Sequence, residues 1–235
     1  MIRLNVTLIF ILVCLATSAD AQNRYTIRLS GNLGGGASIE DTYISGRSRQ
    51  SSDVSFLGNL SAGYTISKFR LNAGVGLMGT SYSEEYKGLI FEENFDPVTG
   101  LPTTVTPADY TVYFIYRYAV LPITAGYVIT FSDRLNLVPE VGLMPAYNLP
   151  LLSKIENETK GTVRTYNIPA ERTFSLSGIM SLNVEYYLTA HVGLTVGATY
   201  TRMFTNLMDR PANALYNAYH REYTYGGGIG VAWRF

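Results

Sequence analysis

The chain has 235 residues, 18 basic and 18 acidic, for a formal net charge of zero. A basic nucleic-acid-binding surface is excluded by that balance, and disorder by 47% hydrophobic and 13% aromatic residues. Two histidines and one cysteine exclude the usual four-ligand zinc site, and the sequence calls for no cofactor.

The first element is an export signal. Arg3 supplies the positive start, Leu8 to Leu15 a short apolar run, and Ala19-Asp20-Ala21 a small-x-small cleavage site. The run is well short of the roughly 20 residues a membrane helix needs. Residues 1–21 are therefore expected to be removed, and 22–235 to form the mature domain. Cys14 goes with the signal, so the mature chain carries no disulfide.

From residue 25 onward, large apolar residues alternate with small or polar ones, as on the two faces of a strand. Tyr25, Ile27, Leu29 and Leu33 alternate with Thr26, Arg28, Ser30 and Asn32. Val54, Phe56, Leu60, Ala62, Tyr64 and Ile66 alternate with Ser55, Asn59, Ser61, Gly63 and Thr65. Phe69 to Leu77 alternate with Arg70, Asn72, Gly74 and Gly76. Segment 111–130 is less regular, and its phase is expected to slip near Pro122, with a bulge or an interrupted hydrogen bond. Leu135, Leu137, Val141, Leu143 and Tyr147 then oppose Asn136, Glu140, Gly142 and Asn148. Three further segments follow, over 174–186, 191–201 and 222–235.

These are eight segments, each long enough for the roughly 9–11 residues of a tilted membrane strand. Short connections at Ser67-Lys68, 132–134 and 188–190 alternate strictly with long ones at 39–53, 83–110, 151–170 and 207–219. Tight turns on one side and long loops on the other are the pattern of an outer-membrane barrel. The expected fold is all-β: an eight-stranded antiparallel up-and-down transmembrane β-barrel with both termini in the periplasm.

The closing stretch Gly230-Val-Ala-Trp233-Arg-Phe235 resembles the C-terminal strand by which outer-membrane proteins are recognised by their assembly machinery. Tyr118-Ala-Val-Leu-Pro122-Ile123 and Leu137-Val-Pro139-Glu-Val-Gly142 resemble the fourth and fifth strands of the PorT-like small barrels of Bacteroidota. That group is similar in architecture to OmpX and to the OmpA barrel. The resemblance implies fold and location over 22–235, and leaves the role open because such barrels serve many.

An eight-stranded barrel is narrow enough for side chains to fill. Buried charges need partners, so Arg28 and Arg70 are expected to pair with Glu140 or Glu185, with Arg234 joining them. Tyr25, Tyr64, Phe69, Tyr186, Trp233 and Phe235 are expected in a periplasmic aromatic belt, and Tyr82, Tyr113, Phe174 and Tyr223 in an outer one. Leu89, Ile90, Phe91 and Phe95 in the longest loop, with Leu151 and Leu152 in the next, are apolar candidates for contact with a partner chain or glycolipid. The leading reading is a non-enzymatic, plugged barrel in contact with lipid and lipopolysaccharide, as a structural or accessory protein beside a larger membrane complex. Two alternatives stand beside it. One is a narrow pore for ions or small solutes. The other is a lipid A-modifying enzyme using His220 with Ser81, Ser83 or Ser153, oriented by Asp209 or Glu222.

Overall fold

The computed structural model describes residues 25–40, 49–95, 102–158, 161–170, 172–205 and 220–235. The expected signal segment 1–21 and the whole of 207–219, Asp209 included, lie outside them. Twelve strands form one sheet: β1 (Tyr25–Glu40), β2 (Arg49–Ile66), β3 (Phe69–Phe95), β4 (Pro102–Val120), β5 (Ile123–Tyr127), β6 (Ile129–Ser132), β7 (Leu135–Asn148), β8 (Leu151–Asn157), β9 (Thr162–Ile168), β10 (Phe174–Tyr187), β11 (Val192–Met203) and β12 (His220–Arg234).

They make the eight walls of a closed antiparallel barrel. The fourth wall runs through β4, β5 and β6, and the fifth and sixth continue outward as β8 and β9. β1 pairs with β2 on one side and with β12 on the other, which closes the cylinder. The Tyr25 N–H donates to Phe235 O at 3.3 Å and the Phe235 N–H to Tyr25 O at 2.9 Å. Residues 25 and 235 thus meet at the end that carries the three tight turns. In the first of these turns Ser67 takes a left-handed φ of 57°, as two-residue hairpins require.

The two parities face opposite ways around the whole barrel. On β10, Ser175, Ser177, Glu185 and Tyr187 are buried while Phe174, Met180, Leu182 and Val184 are exposed. On β3, Arg70 and Asn72 are buried while Leu71, Val75 and Leu77 are exposed.

Two expectations need correction. The phase does not slip at Pro122. Val120 pairs with Ala146 and Ile123 with Leu143, which is one register on both sides of the proline. The ladder is only interrupted, with Leu121 N–H donating to Pro145 O and Gly74 N–H to Pro122 O, both at 2.9 Å. The alternation looked blurred because the inward parity here carries Tyr118, Val120 and Pro122, so both faces are apolar. Secondly, 151–170 is not a plain loop, whereas the ends of 83–110 extend the barrel strands, as the stretches 88–91 and 110–114 allow. β3 and β4 pair as far as Phe95 and Pro102, and β8–β9 form a hairpin whose first strand pairs with β4. These strands rise beyond the barrel as a four-stranded sheet. Its outermost strand buries neither face, as all seven residues of β9 are exposed, and β8 is buried only at Ser153 and Asn157. Apolar–polar alternation is therefore weak there.

The sheet curls tightly enough that cross-strand backbones crowd the inside. A Cβ added at inward Gly34 would collide with the Tyr225 carbonyl oxygen, and one at Gly142 with that of Ile123. At outward Gly31 and Gly58 a Cβ would meet nothing within 4 Å. Gly34→Val and Gly142→Val are expected to destabilise the barrel by about 3 kcal/mol or more, by overpacking against backbone. Gly31→Ala and Gly58→Ala are expected to be neutral or slightly stabilising. Urea unfolding midpoints in detergent micelles measure both.

Candidate functional site

The inside of the barrel is layered. The layer nearest the tight turns is charged. Arg70 on β3 grips Glu185 on β10 with both arms of its fork, Nη1 to Oε1 at 2.5 Å and Nη2 to Oε2 at 3.2 Å. The Tyr187 hydroxyl donates to Glu185 Oε2 at 3.1 Å, and Arg70 Nε to Thr65 Oγ1 at 3.3 Å.

The next layer holds Arg28 on β1, whose Nη2 donates to Glu140 Oε2 on β7 at 2.8 Å. Its Nη1 stands 3.9 Å from Glu185 Oε1, so Arg28 links the two carboxylates. Asn72 donates to Glu140 Oε1 and to Thr124 Oγ1, each at 3.2 Å, and Ser181 donates to Glu140 Oε2, also at 3.2 Å. Side chains with almost no access to solvent, such as Glu185 at 0%, keep their charge only with such partners. Two guanidinium groups face two carboxylates, so this cluster is neutral.

Beyond it, Ser30, Asn32, Asn59, Asn183 and Thr199 surround a small cavity of about 30 Å³. Ser30 donates to Asn59, Asn183 to Ser181 at 3.1 Å, and Thr199 to Asn32 at 3.3 Å. A third layer is apolar. Leu57, Met78, Tyr118, Val120, Met144, Ala146, Ile179 and Met203 come from six walls and pack into one cluster. Above it Glu222 accepts from Thr80 Oγ1 at 2.6 Å and from the Tyr118 hydroxyl at 2.8 Å.

Arg28, Arg70, Glu140 and Glu185 are brought together in this lumen. Arg234 stands apart from them, contrary to expectation. Its Nε donates to Ala190 O at 2.7 Å and its Nη2 to Asp133 O at 3.4 Å, and its guanidinium lies 3.9 Å over the Tyr187 ring. β12 reaches the rim at this position, so Arg234 caps turn carbonyls rather than entering the charged layer. His191 is at the same rim, with Nδ1 3.0 Å from Arg234 O.

Of the expected terminal strand, Gly230 pairs with Ser30 and Thr195, and Trp233 with Ile27 and Val192. Tyr25 and Tyr64 pack at 5.0 Å and Phe69 and Tyr127 at 5.2 Å at this end, and Tyr147 and Phe174 at 5.4 Å toward the other. Tyr82 is a correction. It points inward, 4% exposed, and stacks on Phe114 at 4.9 Å.

Leu89, Ile90, Phe91 and Phe95 lie in β3, with Ile90 opposite Ala108 and Phe91 opposite Pro107, but their side chains are outside the described residues. Leu151 and Leu152 are half-buried in β8, opposite Ile168 and Asn167. The His220 side chain is likewise outside the described residues, while Ser81 Oγ donates to Val54 O at 3.1 Å.

The apolar layer escaped the sequence reading, although a signal existed. Leu57 sits between Ser55 and Asn59, and Ile179 between Ser177 and Ser181, each a single apolar residue on an otherwise polar parity.

No protein-family profile matches the chain, and no characterised protein matches it in sequence. Solved structures do match. Neisserial surface protein A is 15% identical, with a TM-score of 0.40, over 90% of this chain and 97% of its own. The outer-membrane protease OmpT of Escherichia coli is 13% identical, with a TM-score of 0.44, over 92% and 98%. The outer-membrane protein OprG of Pseudomonas aeruginosa is 11% identical, with a TM-score of 0.43, over 91% and 97%. Likenesses this distant carry no argument about function. The barrel rests on its own strand pairing.

Removing one member of the charged cluster leaves a buried charge unpaired. Glu185→Ala is expected to cost about 3–5 kcal/mol, and Arg70→Ala/Glu185→Ala clearly less than the sum of its singles. Arg234→Ala, which loses bonds to two carbonyls and the contact with the Tyr187 ring but leaves no carboxylate unpaired, is expected to cost about 1–3 kcal/mol. Urea unfolding in micelles measures these values, as a double-mutant cycle for Arg70 and Glu185 and as a single variant for Arg234.

Proposed function

We propose that the chain is an integral outer-membrane barrel with a closed lumen. It works without chemistry of its own, as a structural or accessory protein. The observation that carries this reading is the inversion of burial. Ile229 is 73% exposed and Leu33 69%, while Glu185, Arg70 and Glu140 are buried. Apolar surface in water costs about 25 cal/mol per Å², and this barrel wears it all the way round. A bilayer removes that cost. A closed barrel is also one of the two structures that satisfy every backbone polar group in lipid.

Other features fit the same reading. The eight walls exceed the roughly 9–11 residues that cross a bilayer. The aromatic pairs at the two ends of the apolar band are placed as girdles at the two interfaces. The resemblance to the PorT-like barrels belongs with it. The rim with Tyr25, Phe235 and the tight turns is read as periplasmic. Gly230, Trp233 and Phe235 are read as the strand that the assembly machinery meets during insertion.

Lipid and lipopolysaccharide cover the apolar band. The sheet of β3, β4, β8 and β9 then stands outside the cell. It carries Leu89, Ile90, Phe91, Phe95, Leu151 and Leu152 as the surface offered to a larger membrane complex. Closure of the lumen is supported by the paired charges, the packed apolar cluster and the small size of the cavity between them. Purified protein inserted into planar lipid bilayers is expected to stay silent under applied voltage. A steady unit conductance of the wild-type chain contradicts the closed lumen.

A further inference from the structure

Two different layers span the lumen, and they resist an ion for different reasons. The charged layer is rich in donors and acceptors. The apolar layer offers none from Leu57, Met78, Val120, Met144, Ile179 or Met203, which are all 0–6% exposed. We infer that the barrier to ions in this barrel is the apolar layer, and that the ion-pair layer beneath it is a wet compartment. This deepens the closed-lumen reading above and rests on it.

The wet side is argued from unmet hydrogen bonds. Arg28 Nη1 and Thr195 Oγ1 are buried and have no hydrogen-bond partner in the protein. Both residues line the cavity of about 30 Å³. A buried donor left unmet costs about 1–3 kcal/mol. A water needs roughly 10–15 Å³ of such space and two to four polar partners. The cavity meets both conditions. Beside Arg28 and Thr195 it is lined by Ser30, Asn32, Asn59 and Thr199. The two arginines and two glutamates already balance, so an added ion would stand uncompensated there. Water is the occupant that the charges favour.

The dry side begins at the same cavity. Leu57 and Ile179 belong both to its lining and to the apolar cluster. Polar space therefore stops where the cluster starts. The cluster takes side chains from β2, β3, β4, β7, β10 and β11, so it reaches across the barrel and is not a patch on one wall. An ion passing the charged layer can exchange its hydration for side-chain partners. An ion entering the apolar layer gives up hydration for little in return, the most costly transfer a protein interior presents: the buried Thr201 and Thr224 hydroxyls beside Ile179 and Met203 are already bonded to each other at 2.7 Å. Glu222, Thr80 and the Tyr118 hydroxyl make further polar contacts beyond it.

Three proteins in planar bilayers test the inference: the wild type, Leu57→Ser/Met144→Ser/Met203→Ser, and Arg28→Gln/Arg70→Gln/Glu140→Gln/Glu185→Gln. Neutralising all four members together leaves no buried charge unpaired, and heat-modifiable gel mobility reports folding for each. The expected result is unit conductance in the serine variant alone. A folded serine variant that stays silent overturns the inference, as does conductance in the glutamine variant with a silent wild type. A conducting wild type instead sinks the closed-lumen reading on which the inference rests. Should the triple serine variant fail to fold, Met144→Ser alone is read by proton leak from dye-loaded liposomes. A leak faster than wild type supports the seal, and an unchanged leak overturns it.

Discussion

Closure of β1 on β12 is the constraint on which the rest depends. A sheet with an edge presents unpaired N–H and C=O groups along its length. Here Thr26 through Glu40 pair with Arg234 back to His220, and the barrel itself has no such edge. Once the sheet is a cylinder, the two-residue period of every strand becomes an inside and an outside. A one-residue slip in β1, β3, β7 or β10 would carry Arg28, Arg70, Glu140 or Glu185 onto the apolar exterior. The shared register across Pro122 shows how strictly this holds, since even a residue without an N–H leaves the parity intact.

Narrowness follows from closure with eight walls, and the lumen composition follows from narrowness. Glycines at Gly34 and Gly142 sit where the strands crowd inward. The remaining inward side chains are few and must fill the space among themselves. They divide by height: ion pairs toward the tight turns, an apolar cluster above, and the Glu222 cluster above that. Stability and closure therefore come from different chemistry. The arginine–glutamate pairs tie β1 and β3 to β7 and β10 across the lumen, whereas the methionines and aliphatic residues fill it.

Much of this was legible in the residues, because parity is a local signal. Phe174, Met180 and Val184 against Ser175, Ser181 and Glu185 are enough to say which face is which. The candidate charges were legible for the same reason, since a charged residue on the polar parity of a closed barrel has only the lumen to enter. Three features were not legible in this way. The β8–β9 hairpin was hidden because β9 is exposed along its whole length and β8 is buried only at Ser153 and Asn157, so alternation fades although the strands persist. The phase at Pro122 was obscured because Tyr118 and Val120 are apolar and inward. Arg234 shares the parity of the lumen, but its height on β12 places it at the rim, and pattern alone carries no height.

The most direct test of the account is the behaviour of purified residues 22–235 when amphiphile is withdrawn. With the apolar parity facing lipid, the protein is expected to be a monodisperse, β-rich particle in detergent micelles or nanodiscs, and to aggregate on dilution into plain buffer. A folded, monodisperse particle in detergent-free buffer, measured by light scattering with circular dichroism, would mean that the apolar face packs on protein and that the barrel does not live in a bilayer.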